Sequence, residues 1–277
     1  QRTDVAFAHA APCKGSLQDC RAGLLIAMPG QPTPSLAAAV LTVQYPQSAF
    51  DWCVRYLHAR QQVLHRGAVV SPNGACIGSG ARVHAEAVIG PWSVIYPGAD
   101  IAAGAVVGAG TVVRTQAIVA GDVRLGSRCD IGAGAVLGSE CDVHEPSAAG
   151  WRMVPGRGSV ACEDAVCIGP LTVVEKGFHG VTHIGAGCLI GGHVYIAHDC
   201  HIGSGCLLIG QTGLASGVRL EDRVTLMGAA RIAPGVRIGS DALVAGASVV
   251  FGDVPPQQRV LGAPARPWRE ALRSMAG

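Results

Sequence analysis

Five of the ten histidines, His179, His183, His193, His198 and His201, crowd into one 23-residue stretch. Imidazole is the side chain that gains and loses a proton near neutral pH, so such a cluster suits general-base work or metal ligation. His198 is followed by Asp199, and Glu175 stands upstream; either carboxylate can orient an imidazole or raise its basicity. The spacing His193-x-x-x-x-His198 also admits a zinc pair. A single histidine is more often structural than chemical. His198 is set apart because it falls at a corner of a repeat, next to a loop insertion, where a side chain cannot point into a core.

That repeat runs without a miss over twelve units: Ile184, Ile190, Ile196, Ile202, Leu208, Leu214, Leu220, Leu226, Ile232, Ile238, Val244 and Val250. Two residues before each stands a small or β-branched one, as at Thr182, Cys188, Val194 and Cys200. A helical stripe drifts at 3.6 residues and cannot hold a period of six. Hexapeptide repeats of this kind predict a parallel β-helix, with three units to each triangular turn. An earlier run has the same period from Ile77 to Val143, with small companions such as Ala75, Ala81, Ala87, Ser93 and Ala99. The phase breaks over 144–159 around Trp151, resumes at Ile168 and Val174, breaks again over 175–181, and holds from Ile184. About nine coils follow from this count. Continuous hexapeptide coils are left-handed, against the usual crossover preference.

Composition agrees. The chain of 277 residues is 49% hydrophobic but only 4% aromatic, a core of small aliphatics as a solenoid needs. A net charge of +2 gives no ground for a nucleic-acid partner. No apolar run reaches membrane-spanning length, and residues 1–21 lack the apolar core of a signal peptide, although the absent initiator Met points to an unseen or removed start. Eleven cysteines invite a disulfide or zinc framework. Yet Cys129, Cys141, Cys188, Cys200 and Cys206 all take the small inward position, where a thiol is a compact filler, and no CxxC pair occurs. Reduced thiols favour a cytoplasmic protein.

Three parts are expected: a small α/β domain over 1–66, the left-handed β-helix over 67–253, and a C-terminal cap with a short helix over 254–277. In the first, Leu24–Met28 and Val40–Gln44 read as strands, and Pro46 opens a helix with Phe50, Cys53, Val54 and Leu57 as its apolar face. This domain is expected to pack on the first coils. In the solenoid, outward residues 18 apart stack as columns. One column, His183, His201, Arg219 and Arg237, can hold phosphates or serve as a solvated face. Another, Leu189, Leu207, Thr225 and Leu243, is apolar and predicts a subunit seam, most simply in a homotrimer.

Several stretches resemble the UDP-3-O-acylglucosamine N-acyltransferases of lipid A synthesis. Leu41-Thr-Val-Gln-Tyr-Pro-Gln-Ser-Ala-Phe50 is similar to the strand–Pro–helix of that family's uridine-binding domain. Trp151-Arg-Met-Val-Pro155 resembles its Trp-x-Lys-Ile-Pro loop, and Val174-Glu-Lys-Gly177 its Ile-Asp-Arg-Gly. Ile196-Ala-His-Asp-Cys-His-Ile-Gly203 is similar to the segment carrying the family's base, and Gly262-Ala-Pro-Ala-Arg266 to its tail.

The resemblance implies acyl transfer from a phosphopantetheine thioester, on acyl carrier protein or coenzyme A, to the amine of a nucleotide-activated amino sugar. No tightly bound cofactor and no metal are implied. His198 would take the amine proton, with Asp199 or Glu175 supporting the ring, and a backbone N–H at Ser216 or Gly217 would hold the oxyanion. Tyr45 or Phe50 would replace the aromatics that meet uracil; Glu175, Lys176, His193 and His201 would complete the substrate site. The sequence departs from the family in five places: Gly138-Ser-Glu-Cys-Asp-Val replaces a Gly-Phe-Gly-Phe run, Gly235 stands at the second active-site histidine, Tyr45 replaces an Asn, Thr42 and Ser48 stand at the uracil-stacking aromatics, and the C-terminal helical extension is short. Two enzymatic rivals are a coenzyme A-dependent acyltransferase of another amine and a zinc enzyme of the gamma carbonic anhydrase type. The phase of the His193–His198 pair, one residue off that family's, argues against the second. A non-catalytic scaffold is the third alternative.

Overall fold

The computed structural model describes residues 5–7, 24–28, 40–44, 46–65, 67–264, 266–267, 269–270 and 273. The chain divides into two units, Gln1–Gln62 and Val63–Gly277. In the first, strands Val5–Phe7, Leu24–Ala27 and Val40–Thr42 form a parallel sheet in sequence order. Val5–Phe7 has no counterpart in the sequence reading. Pro46 opens the helix Pro46–Leu64, where its fixed φ and missing N–H cost nothing. The buried stripe of that helix differs from the expected one. Phe50 and Cys53 are half-buried, but Val54 and Leu57 are exposed, and the stripe continues through half-buried Tyr56 to buried Ala59 and Val63. Tyr56 stacks on Trp52 at 5.2 Å, so an amphipathic ring takes the place assigned to Leu57.

The second unit is the left-handed parallel β-helix. Short strands, mostly of two residues, stack into three sheets of eight, twelve and nine strands. Partners lie 18 residues apart wherever the phase is continuous, as in Ile184↔Ile202, Ile190↔Leu208 and Ile196↔Leu214. Each of these core side chains is at most 1% exposed, and each buried aliphatic contributes roughly 1.5–3 kcal/mol. The small companions are buried with them, including Cys129, Cys141, Cys188, Cys200 and Cys206, all free thiols. Burial pushes the Cys129 thiol up to about 11, as befits a filler with no ionic role.

The corners obey a rule that positions the chemistry. The third residue after a core position adopts a left-handed backbone, whether glycine, as at Gly205, Gly217 and Gly235, or not, as at His193, Asp199 and Gln211. Its N–H donates to the carbonyl of the second residue at the corner one coil earlier, as Gly205 does to Ala186 and Gly235 to Ser216; Asp199, above an interrupted corner, donates to the Thr182 side chain instead.

Both breaks in the period fall at one corner, the passage from the nine-stranded to the eight-stranded sheet. The first is longer than the sequence suggested. Val143 is no rung; the chain leaves after Leu137 and makes an antiparallel hairpin, His144–Ser147 with Gly150–Met153, that presents Trp151 to solvent. It rejoins at Cys162, which pairs with Leu125, not at Ile168. The second excursion follows Val174 and ends at Val181–Ile184. At the far end, Arg259–Leu261 adds to the twelve-stranded sheet and Arg266–Pro267 pairs back on it antiparallel, covering its last edge. Residues 269, 270 and 273 are helical, within the span where a short C-terminal helix is expected; 268, 271, 272 and 274–277 lie outside the described residues.

Candidate functional site

His198 is the second residue after core position Ile196, at the corner that carries both excursions one and two coils earlier. Its side chain is 17% exposed. Asp199, next in sequence, holds the left-handed corner position with φ 57°, a conformation that Asp tolerates better than most residues. That turn brings the Asp199 carboxylate back to Nδ1 of His198, at 2.9 Å. Asp199 is itself held by two further groups. Its N–H donates to Oγ1 of buried Thr182 at 3.0 Å, and its two oxygens accept from the N–H of Phe178 at 3.2 and 3.3 Å. With Nδ1 engaged, Nε2 is the ring atom left for a substrate, as a general base requires. The Phe178 ring lies 6.0 Å from the imidazole.

Glu175 takes a different role from the one open to it in sequence. It is 2% exposed and does not bond to the imidazole. One oxygen accepts the backbone N–H of His198 at 2.8 Å. The other accepts the Asp142 N–H at 2.8 Å and the Tyr195 hydroxyl. A buried carboxylate demands such partners, and here they tie three segments to one group. Desolvation, and then the bond to Glu175, raise the Tyr195 phenol well above its ordinary value, so the hydroxyl stays a donor. Of the two carboxylates, Asp199 supports the ring and Glu175 supports its backbone.

The second excursion is held close by glycines. Gly158 donates to Gly177 O at 2.9 Å, Gly177 to Ser159 O at 3.0 Å, and Ser159 to Gly180 O at 3.0 Å. A Cβ at Gly158 would collide with the carbonyls of Gly177 and Gly180. This packing sets the Phe178 N–H on Asp199. Lys176, on the same excursion, is ion-paired with Glu140 at 2.8 Å.

One coil above His198, Ser216 and Gly217 occupy the same corner. The Gly217 N–H follows the corner rule and donates to His198 O at 3.0 Å, so Ser216 is the one of the two whose amide is not held by that bond. His193 and His201 lie on either side of the corner rather than at it. His193 lines a groove of about 460 Å³ along the nine-stranded face, with Tyr195, Ala215, Arg231, Pro234 and Phe251. His201 lines another of about 430 Å³ on the eight-stranded face, with Arg219, Arg237 and Ser240. The basic column forms in register, and His201 stacks on His183 at 4.7 Å. Arg237 within it is ion-paired with Glu221. The apolar column also stacks in register, and Leu189 is 51% exposed. Phe50 is half-buried on the helix of the first unit; Tyr45 lies outside the described residues.

Sequence reasoning named His198, Asp199 and Glu175 but missed Tyr195, Thr182 and Phe178. Tyr195 was readable as an outward position beside core residue Ile196. Phe178 acts through its backbone, which leaves no mark on residue type.

No family model matches the chain. A UDP-3-O-acylglucosamine N-acyltransferase of Parasynechococcus marenigrum (strain WH8102) is 36% identical over 201 residues, 66% of this chain and 56% of that protein. Over that stretch the chain is similar to the UDP-3-O-acylglucosamine N-acyltransferases. It spans little more than half the length of that relative. Among solved structures, a UDP-N-acetylglucosamine acyltransferase from Arabidopsis superposes with TM-score 0.60 at 28% identity, covering 72% of this chain and 76% of that one. One from Campylobacter jejuni gives 0.64 at 24% identity over 69% and 73%, a likeness of fold. Among the described residues, no helix is long and apolar enough to cross a membrane.

Proposed function

We propose that this relative of the UDP-3-O-acylglucosamine N-acyltransferases is itself an N-acyltransferase, moving an acyl group from a phosphopantetheine thioester to the amine of a UDP-activated amino sugar. The observation that carries the reading is the His198–Asp199 pair, 2.9 Å apart at the most heavily built corner of the coil. Nε2 of His198 takes a proton from the amine as its nitrogen attacks the thioester carbonyl. Asp199 keeps the other ring nitrogen protonated and stabilises the imidazolium that forms. The Ser216 N–H holds the tetrahedral oxyanion, and collapse of that intermediate expels the thiolate, which picks up a proton to leave as free thiol. The acyl donor is a co-substrate, carried by acyl carrier protein or coenzyme A, with no tightly bound cofactor. Lipid A synthesis is the setting that the resemblance implies.

The active assembly in this reading is a homotrimer, with the exposed leucine column covered at each seam. Reduced, buried thiols support a cytoplasmic setting. The test is to incubate the full chain with acyl-carrier-protein and acyl-coenzyme A donors against UDP-amino sugars, and to follow free thiol and N-acylated product. Wild type forms product and His198→Ala does not; equal turnover by both would remove His198 from the chemistry.

A further inference from the structure

The groove lined by His193 and Tyr195 on the nine-stranded face has one arginine built into an otherwise largely apolar wall. Outward positions of the nine-stranded face stack as Tyr195, Gly213, Arg231 and Val249. Arg231 is exposed, but its side chain does not run straight out from the sheet. Its side chain folds back over Gly213, and Nη1 donates to the Gln211 carbonyl on the preceding coil. Only glycine leaves that path open, since a Cβ at Gly213 would lie 2.9 Å from Arg231 Cδ and 3.3 Å from Nε. Among the described residues Arg231 has no acidic partner, whereas Arg82, Arg114, Arg128, Arg223 and Arg237 are each paired with an Asp or Glu. Nη1 also reaches the Ala230 carbonyl at 3.3 Å, and an arginine pinned through Nη1 alone, with its charge unanswered, is a prepared site for an anionic oxygen. Beyond it the groove is walled by Ala233, Pro234, Val249 and Phe251, the last 70% exposed.

We infer that Arg231, laid across Gly213, is the anchor for a phosphate of the thioester donor, whose aliphatic part lies against the Val249–Phe251 wall. The occupant is a phosphate ester attached to an apolar arm. A nucleotide diphosphate shares the phosphate but has no such arm, so the wall favours the donor. The inference rests on the acyl-transfer reading, and its test separates the two.

The full chain is assayed with acyl-coenzyme A and with the matching acyl-pantetheine, which carries no phosphate, at a fixed amine acceptor. Wild type prefers the phosphorylated donor in kcat/KM; in Arg231→Gln that preference falls about tenfold, the scale of one charged hydrogen bond. Gly213→Ala, which displaces the guanidinium and keeps its charge, lowers the preference in the same direction. A wild-type preference retained in full by Arg231→Gln overturns the inference. So does a discrimination that moves instead with the diphosphate of the acceptor, measured with an amino sugar with and without its UDP. Calorimetric binding of coenzyme A alone to wild type and Arg231→Gln reports on the anchor without turnover: weaker binding by the variant supports it, equal binding refutes it. Absence of turnover in wild type with every donor would sink the acyl-transfer reading and leave this binding result standing.

Discussion

Glu175 and His198 meet through main chain, not through the ring: a carboxylate oxygen of Glu175 accepts the His198 N–H at 2.8 Å, while its other oxygen accepts the Tyr195 hydroxyl. The carboxylate thereby fixes where the corner begins, and Asp199 fixes how the imidazole is turned.

Glu175→Gln replaces one acceptor oxygen with an NH₂ that must face an N–H or the Tyr195 hydroxyl. An unmatched buried donor costs about 1–3 kcal/mol, which thermal unfolding will register as a lower Tm. Because His198 shifts, kcat drops about tenfold to a hundredfold with a smaller change in KM. Tyr195→Phe removes one of the three bonds and loses less of both.

Asp199→Asn keeps the shape of the site but places an amide opposite Nδ1. Steady-state kinetics will show kcat lower by about a hundredfold or more, within the usual range for general-base support, and melting temperature nearly unchanged. Loss of stability without loss of kcat would reassign Asp199 to a purely structural part in the turn.

Gly158→Ala inserts a methyl between the carbonyls of Gly177 and Gly180. Overpacking of this kind costs about 1–3 kcal/mol. The relaxation pulls the Phe178 N–H from Asp199, so activity falls more steeply than stability. Kinetics and denaturant melts on one preparation will separate the two.

His201 gives stability a pH dependence. Burial, then the neighbouring His183 and Arg219, lower its pKa from the ordinary histidine value. The unfolded chain therefore holds more protons than the folded one in the window below the unfolded value of about 6.5, and stability rises with pH there. The contribution is intact above that window and lost as pH falls through the folded value. Thermal melts from pH 5 to 7.5 will show a shallower slope for His201→Gln; an unchanged slope would discard this account.

Leu189 is the most exposed member of its apolar column, and Leu189→Arg places a charge where a seam is proposed. Sedimentation equilibrium will show the variant moving from trimer toward monomer while circular dichroism keeps its β signature. A wild-type protein that sediments as a monomer would refute the trimer.

The coil was legible because every core position repeats the same demand, an aliphatic residue every sixth place with a small one two before it. Cys162 escaped because a thiol there breaks the aliphatic pattern, even though it stands six before Ile168 and its companion Val160 fits. Val143 misled for the opposite reason, an aliphatic in phase whose chain had already left the coil. His198–Asp199 was legible through residue type and corner position. The Glu175–Tyr195 bond was not, because it joins residues 20 apart through a passage where the second excursion disturbs the spacing. The helix face failed at Leu57 because periodicity alone does not tell which of two adjacent candidates, Tyr56 or Leu57, turns inward.

The chain wanders from the coil twice, and both times at one edge, after Leu137 and after Val174, in the two turns preceding His198. Beyond a register slip between Leu137 and Ser139, where the first begins, the strands keep their pairing across both detours, since Leu125 still meets Cys162 and Cys162 still meets Ile184. The strands of the spool are therefore independent of the overhang, whereas the corner is not: Glu175 and Phe178, both on the second detour, bond the backbone of His198 and the carboxylate of Asp199. A lineage can lengthen, shorten or redecorate the outer reach of the overhang, and so change which molecule fits beneath it, as long as it keeps the few groups at its root that grip the imidazole's corner.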